Sequence, residues 1–505
     1  MVSPPPMLPT EGDVVVVGGG LAGLSAAWYL SAAGRQVTVL EKGARLGGKA
    51  GSEDVLDAEG NRAYRSDHGY HLFPEWYLNV KDLMGAIGLD YDAITVPGEK
   101  FISSFGTTTQ STTGDKADGG YGSAALWLSF LSSVLQLIVA DDDELRPLSV
   151  AEFLEKRNGK GDFVAAARLR HESLLLKALA NHAESMSALS VARMYRRWVI
   201  PASNILKPSW SALRGPLQTY FIDPLEKALL EVGVVIEKGV AVAGLETDAD
   251  GITALRLSSN DHGDRRLETP GPVVLAIPPD ALGLILGGDP PEILSDLIDV
   301  SRLRMAVMSA VDVHYSDQVK TPGDHFSIPE SQQDLTAYDI TRNWDPEELP
   351  RTVKDGDRVV RTILQVIATE PDGLELLTDP DVELKDRVLS EVERLDTVPI
   401  DRDASVIHVN QDAQLFMNDK GVDGRRPQVN HERAKNLYLA GDYCQSSIDV
   451  ASMEAAVATG RIAATAVLTG RTVDTAPAVT RGIRIAEKVS RFIPRSWGLL
   501  RRVLR

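Results

Sequence analysis

Gly18, Gly20 and Gly23 stand between the unbroken run Val14–Val17 and the apolar stretch Leu21–Leu30. The valines read as a buried parallel strand, the stretch after them as a helix, and the glycines as the tight turn that joins the two. The chemistry this spacing suits is anion binding. Gly18 permits the turn, Gly20 lets backbone approach a diphosphate, and Gly23 lets the helix pack closely on the strand. Leu21 and Ala22 open the helix, whose unpaired N–H groups and partial positive charge face the anion. A glycine-rich turn can equally serve plain packing, so the motif needs a companion. Gln36–Leu40 reads as a second strand and ends at Glu41, about twenty residues on, where a carboxylate binds ribose hydroxyls and repels a 2′-phosphate.

Two further clusters carry polar chemistry. In Asp67-His68-Gly69-Tyr70-His71, either His68 or His71 could take a proton or stabilise a cationic transition state, or each could be an ordinary packing residue on a strand. Near the other end, Asn436–Leu439 reads as a strand followed by Gly441-Asp442, and a small-residue helix runs to Leu468. That order again presents an acid and free helix N–H groups to a polar cofactor. No helical His pair or carboxylate cluster completes a metal site, and the acidic run Asp141–Glu144 reads as a solvated loop. Cys444 is the single cysteine, which excludes internal disulfides and cysteine-rich metal centres and fits a reducing compartment.

The elements that must position these groups belong to a chain of 505 residues, long enough for two or three domains with sizeable cores. With 43% hydrophobic and 25% charged residues the chain is globular. Its net charge of −18 argues against nucleic acid as a partner, since phosphate neutralisation needs a basic surface. Met1–Thr10 has neither a basic segment nor an apolar run and reads as a flexible lead, so a cytoplasmic location is expected. Ser123–Ala140 is at the short limit for a membrane span and carries several serines, so it reads as a core or lipid-facing helix.

The pattern predicts an α/β protein with a discontinuous Rossmann-like domain from residues 12–95, 215–290 and 425–470. An α+β domain from 96–214 and 291–424 is expected to hold apolar helices and an antiparallel sheet. Within these, Leu225–Gly233 reads as a glycine-closed helix and Val234–Val240 as a strand. Gly251–Leu257 reads as part of a hairpin-like excursion, and Pro272–Pro279 as a buried strand stopped by prolines. Met305–Tyr315, Val359–Ala368 and Ser405–Val409 alternate as antiparallel strands do.

Four landmarks, in this order, resemble the flavin-containing amine oxidase superfamily and its carotenoid (phytoene) desaturase-like branch. They are Gly18-x-Gly20-x-x-Gly23; Glu41-Lys42-Gly-Ala-Arg45-Leu-Gly47-Gly48; Ser66–Val80; and Leu439–Tyr443 with Ala451-Ser452-Met453-Glu454. The resemblance covers most of the chain and is weakest between residues 100 and 210. It implies FAD as the cofactor, with Glu41 and the adjoining Lys42 at the adenosine ribose and Val240 holding the adenine through its backbone. Arg45, Gly47 and Gly48 would lie along the pyrophosphate and ribityl chain, and Asp442 would contact the pyrophosphate or ribityl oxygens. The helix opening at Ser452 and Met453 would aim its amides at the flavin pyrimidine edge, and Asp67, His68 and Gly69 would pass near the isoalloxazine. Cys444, close to Asp442 and so near the ribityl chain, is expected to be a packing residue and not a covalent flavin anchor.

The resemblance implies an FAD-dependent oxidoreductase that desaturates a hydrophobic isoprenoid such as a carotenoid precursor. Oxidation of an amine or porphyrinogen, dehydroxylation of a squalene derivative, and a non-enzymatic prenyl-lipid escort are the competing expectations. Apolar surface around Ala124–Val139, Leu174–Leu189 and Met305–Val313 suits an isoprenoid tunnel and equally an ordinary core. The tail 471–505 is basic: Ile485, Ala486, Val489, Phe492 and Ile493 share one helical arc flanked by Arg481, Arg484, Lys488 and Arg491. It reads as a helix lying on anionic lipid at the inner face of a membrane, or docking on the acidic body of its own chain.

Overall fold

The computed structural model describes residues 13–57, 59–100, 124–161, 181–199, 207–259, 263–269, 271–328, 335–350, 362–368, 380–394, 398–409 and 414–473, with scattered positions between 162 and 180 and Ser331. The basic tail beyond residue 473 lies outside the described residues, as do residues 174–178 and 180 of the stretch Leu174–Leu189.

Five parallel strands form the first layer, in the order Leu437–Leu439, Val273–Leu275, Val14–Val17, Val37–Glu41, Val235–Lys238. Val14–Val17 is the central strand and is buried throughout, as a sheet covered on both faces requires. The helix Leu21–Ala32 follows it and packs along the helix Met453–Thr469, so chain segments more than 400 residues apart share one layer. Contact is close where a Cβ on Gly460 would fall 2.2 Å from the Ala22 carbonyl oxygen, and Ser25 Oγ donates to the Val457 carbonyl at 2.9 Å.

The expected strand Val234–Val240 is broken at Gly239, whose φ of +71° turns the chain. Val235–Lys238 stays in the parallel sheet, while Val240–Thr247 starts a three-stranded antiparallel unit with Ile252–Ser259 and Arg265–Glu268. The expected strand Met305–Tyr315 is likewise two strands. Met305–Ala306 pairs with Leu415–Phe416, and Ser309–Tyr315 lies in a five-stranded antiparallel sheet.

That sheet runs His325–Ser327, Thr336–Asp339, Thr362–Ala368, Ser309–Tyr315, Ile400–Val409. Strand alternation gives it two faces. Val311, Val313, Leu364 and Val366 pack with Leu384, Val388 and Val392 of the helix Pro380–Val392. On the opposite face Ala310, Ile363, Ile367 and Tyr338 pack with Tyr64, Tyr70 and Trp210. Residues 62–70 thus leave the nucleotide-type layer and cover the second sheet.

The helices Ala124–Val139, Val150–Asn158 and Ala188–Val199 build a separate apolar cluster around Phe130, Val134, Phe153, Val191 and Tyr195. Val150–Asn158 opens with a capping box in which Glu152 N donates to Ser149 Oγ at 3.2 Å and Ser149 N to Glu152 Oε2 at 2.8 Å. The acidic run before it is ion-paired and not simply solvated. Asp142 meets Arg193 at 2.8 Å and Arg196 at 2.6 Å because the helix Ala188–Val199 turns those cations onto it.

Candidate active site

Two glycine turns lie side by side at the carboxyl ends of the central strands. Gly18 has φ +106°, and a Cβ there would sit 2.4 Å from the Ala276 carbonyl oxygen. Gly23 touches the turn so closely that its Cβ would fall 2.0 Å from the Gly18 oxygen. Gly47 N donates to the Gly19 oxygen at 2.8 Å, and Gly48 approaches the Gly20 backbone. The helix begins at Leu21, and its N-cap Gly20 supplies no side-chain acceptor, so the amides of Leu21 and Ala22 are not capped by a side chain of the N-cap residue. An uncapped N-terminus walled by backbone is a fit for a diphosphate.

Glu41 closes this cradle. Its Oε2 accepts from Gly19 N at 2.7 Å and its Oε1 from Gly43 N at 2.6 Å. Each oxygen keeps lone-pair capacity for a hydroxyl donor. Lys42 is exposed beside it, and Gly239 N donates to the Gly43 oxygen at 3.0 Å, which sets buried Val240 next to the same loop. Arg45 is turned away from the glycines: it donates to the Ser52 carbonyl at 2.9 Å and pairs with Asp54 at 3.0 Å.

The C-terminal half of the cradle is the turn at Gly441 and Asp442. Gly441 N donates to Thr459 Oγ1 at 3.0 Å, which ties the turn to the helix Met453–Thr469. Asp442 is buried and pairs with Lys49 at 2.8 Å, a partner that carries no motif of its own in the sequence. Arg426 supports this turn from inside. Its guanidinium donates to the carbonyls of Asp442 at 2.9 Å and Asp449 at 2.7 Å, and to Asn418 Oδ1 at 2.7 Å. Ser452 caps the helix, accepting from Ala455 N at 3.2 Å, and Met453 is its half-buried first residue. Cys444 is fully buried, and burial pushes its thiol well up, which makes it a packing group.

The loop His68–His71 follows the strand Arg62–Asp67 and is not part of it. Gly69 rides on the antiparallel sheet: a Cβ there would lie 3.0 Å from Ile367 Cδ1 and 3.7 Å from Ala310 Cβ. Burial holds the His71 imidazole down to about 4. His68 Nε2 meets Glu53 Oε1 at 3.3 Å, and the other oxygen of Glu53 meets His408 Nδ1 at 3.4 Å. Both imidazoles hold the Glu53 carboxyl well below its usual range. Beneath them, Tyr64 donates to Asp312 Oδ2 at 2.8 Å and stands 3.1 Å from His314 Nε2. Asp312 lies directly across from Gln365, so a polar row crosses the sheet under the loop.

A sequence profile of the flavin containing amine oxidoreductases matches residues 21–468. The chain belongs to this family. It is therefore an oxidoreductase of the flavin-dependent kind with an α/β fold. It is similar to the carotenoid phi-ring synthase of Chlorobaculum tepidum, at 26% identity over 50% of this chain and 40% of that relative, so the chain spans less than half of that relative's length. It is similar to the zeta-carotene desaturase of Synechocystis sp. at 24% identity, over 90% of this chain and 96% of that one. The fold is that of the cyclohexylamine oxidase of Brevibacterium oxydans, with a TM-score of 0.63 at 18% identity, covering 91% of this chain and 99% of that one.

Within this flavin oxidoreductase, Glu53, His408, Asp312, Lys49 and Arg426 escape any motif. For Asp312 and His408 a signal did exist: each is a polar residue flanked on both sides by apolar ones, Asp312 by Val311 and Val313 and His408 by Ile407 and Val409. Among the described residues no group of His, Cys, Asp or Glu is placed to hold a metal ion, and no helix is long and apolar enough to cross a membrane.

Asp67 gives a pH prediction. Burial pushes its carboxyl up to about 6, although Ser52 Oγ at 2.5 Å and Leu217 N at 3.0 Å donate to it and act the other way. The folded state holds this proton more tightly than the unfolded chain, whose carboxyl titrates near about 4. This contribution to stability is full at low pH and is lost as pH rises through about 6. Both donors reach the same oxygen, Oδ1, so Asp67→Asn keeps both bonds and cannot ionise. Its stability relative to wild type is expected to rise by about 2 kcal/mol between about pH 4 and about pH 7 in urea unfolding. A difference that stays constant over that range excludes Asp67 as the source.

Proposed function

We propose that this oxidoreductase binds FAD and dehydrogenates a hydrophobic isoprenoid of the carotenoid-precursor class. The observation that carries the reading is where the apolar helices end. Val450, two residues before the cap Ser452, packs in the cluster of Ala124–Val139 and Ala188–Val199, and Trp76 packs against both that cluster and the first turns of the helix Met453–Thr469. Apolar surface is thereby delivered to the helix N-terminus that would face the flavin. The kinship with a zeta-carotene desaturase and a carotenoid phi-ring synthase supports the same substrate class.

The residues present fit the cofactor. Leu21, Ala22 and Gly23 would meet the diphosphate, Glu41 the adenosine ribose, and Val240 the adenine. Gly47, Gly48 and Asp442 would border the pyrophosphate and ribityl chain, and the amides from Met453 would lie at the pyrimidine edge. Bound there, flavin would supply the hydride acceptor. The chain's own part is to orient the substrate, exclude water and stabilise negative charge at the start of the helix Met453–Thr469. The competing amine reading would need an aromatic pair before the flavin. Tyr443, one candidate, is committed to the core against Phe416 at 6.5 Å between ring centroids. The basic tail would hold the enzyme on anionic lipid, from which such a substrate is drawn, with each basic residue contributing about 1 kcal/mol.

The test is a comparison of lipid extracts from cells with and without the protein, alongside the absorbance of the purified protein. A yellow protein and a shifted isoprenoid pool are expected. An unchanged isoprenoid pool with consumption of a soluble amine and release of peroxide would refute desaturation, and a colourless protein that still binds prenyl lipid would make it an escort.

A further inference from the structure

Resting on the dehydrogenase reading above, we propose that His408, joined to solvent through Glu53, is the exit by which the proton released in the reaction leaves the buried face of the antiparallel sheet. His408 is 6% exposed and lies directly across from Ala310, the residue over which Gly69 rides, so its strand runs beside the loop His68–His71. Its two ring nitrogens meet different surroundings. Nδ1 faces Glu53 Oε2 at 3.4 Å, and the Glu53 side chain is 59% exposed. Nε2 is buried and has no hydrogen-bond partner among the described residues. By contrast, the buried His171 is closed on both sides, with Ser133 Oγ and Tyr195 Oη each at 2.8 Å.

The same face of the sheet holds two further orphaned acceptors. Asp312 is fully buried, and its Oδ1 has no partner among the described residues; nor has Gln365 Oε1 directly across from it. Each buried polar atom left unpaired costs about 1–3 kcal/mol, so three on one face mark a seam built for donors that come and go, such as ordered water or a travelling proton. The charged and titratable groups that face His408 are Glu53, Asp67 and His68 from the covering hairpin and loop and Asp312 from the neighbouring strand. Burial would lower the imidazole, yet Glu53, Asp312 and Asp67 outweigh it and hold His408 above its ordinary value. Imidazolium is thereby a supported state of this ring.

Turning a C–C single bond into a double bond removes one hydrogen as hydride, which flavin bound at the site would accept, and one as a proton, whose C–H electron pair becomes the new π bond. The proton enters the seam and binds His408 Nε2. The proton on Nδ1 passes to Glu53 Oε2 and then to water, which leaves the ring as its Nε2–H tautomer, and tautomerisation restores Nδ1–H before the next turnover.

Two measurements on the full chain test this. In the first, nuclear magnetic resonance of labelled histidine, of which the chain has nine, follows the His408 titration in wild type and Glu53→Gln. Removing the Glu53 charge is expected to lower the midpoint by about one unit or more. In the second, turnover is measured for His408→Gln and Glu53→Gln. A fall in kcat of about 10–100-fold is expected in both, with KM and flavin absorbance unchanged and with added imidazole restoring His408→Gly. An unmoved titration in Glu53→Gln, or wild-type kcat in either variant, overturns the inference. If the wild type converts no isoprenoid, the desaturase reading fails by itself, and the titration still decides whether Glu53 governs His408.

Discussion

Replacing Gly23 with alanine is expected to yield a protein that purifies colourless. A Cβ at this position would fall 2.0 Å from the Gly18 carbonyl oxygen and 3.2 Å from Ala276 Cβ, and backbone on the facing side cannot rotate aside. The helix Leu21–Ala32 must then slide away from its turn, carrying the uncapped amides of Leu21 and Ala22 with it. Overpacking of this kind costs about 1–3 kcal/mol of stability. The loss at the diphosphate adds a charge-assisted hydrogen bond and part of the helix-end electrostatics, together about 3 kcal/mol. That corresponds to roughly two orders of magnitude in cofactor affinity. Gly34→Ala is the control, since Gly34 also has a positive φ, +85°, but no atom within 4 Å of its would-be Cβ. It should lose about 1–2 kcal/mol of stability and keep its flavin. A Gly23→Ala protein with wild-type flavin content would show that the diphosphate lies elsewhere.

Glu454 is expected to be the costliest single side chain to remove. It is 1% exposed, and its carboxylate accepts from Asn79 N at 2.8 Å, Asn79 Nδ2 at 2.9 Å and Val80 N at 2.9 Å. These donors open the helix Leu78–Ala86, whose N-cap Tyr77 offers no side-chain acceptor, so the cap comes from a residue 375 positions away. Burial raises the Glu454 carboxyl, and the donors from residues 78–80 pull the other way. Glu454→Ala leaves three buried donors unpaired and opens a void, for a loss of about 3–5 kcal/mol in urea unfolding. Glu454→Gln keeps acceptance toward Asn79 but turns an amide N–H₂ toward Val80 N, for about 2 kcal/mol. A loss below about 1 kcal/mol in Glu454→Ala would mean that this contact does not hold the two segments together. The consequence reaches the site, because Glu454 pins the chain just beyond the loop His68–His71 to the helix that would face the flavin.

The two substitutions differ in how far the sequence foretells them. The role of Gly23 is legible because everything it needs is local: strand, turn and helix follow one another within Val14–Ala32, and the steric demand of a close turn is met only by glycine. Glu41 is legible for the same reason, since its distance from the turn is the length of one helix and one strand. Glu454 sits in a recognisable run, yet nothing in that run names Asn79 as its partner.

By itself, then, the sequence determined the glycine turn with the strand and helix around it, their order and the flavin oxidoreductase family, because each depends on residues a few positions apart whose backbone needs are narrow. Only the tertiary structure decided which lone polar residues meet. Glu53 and His408 are 355 positions apart, and Lys49 and Asp442 are 393. Burial on one face of a sheet can be guessed from alternation, but which distant element covers that face is set by how separately encoded layers pack. That packing places Glu53 between two imidazoles, and no local spacing carries it.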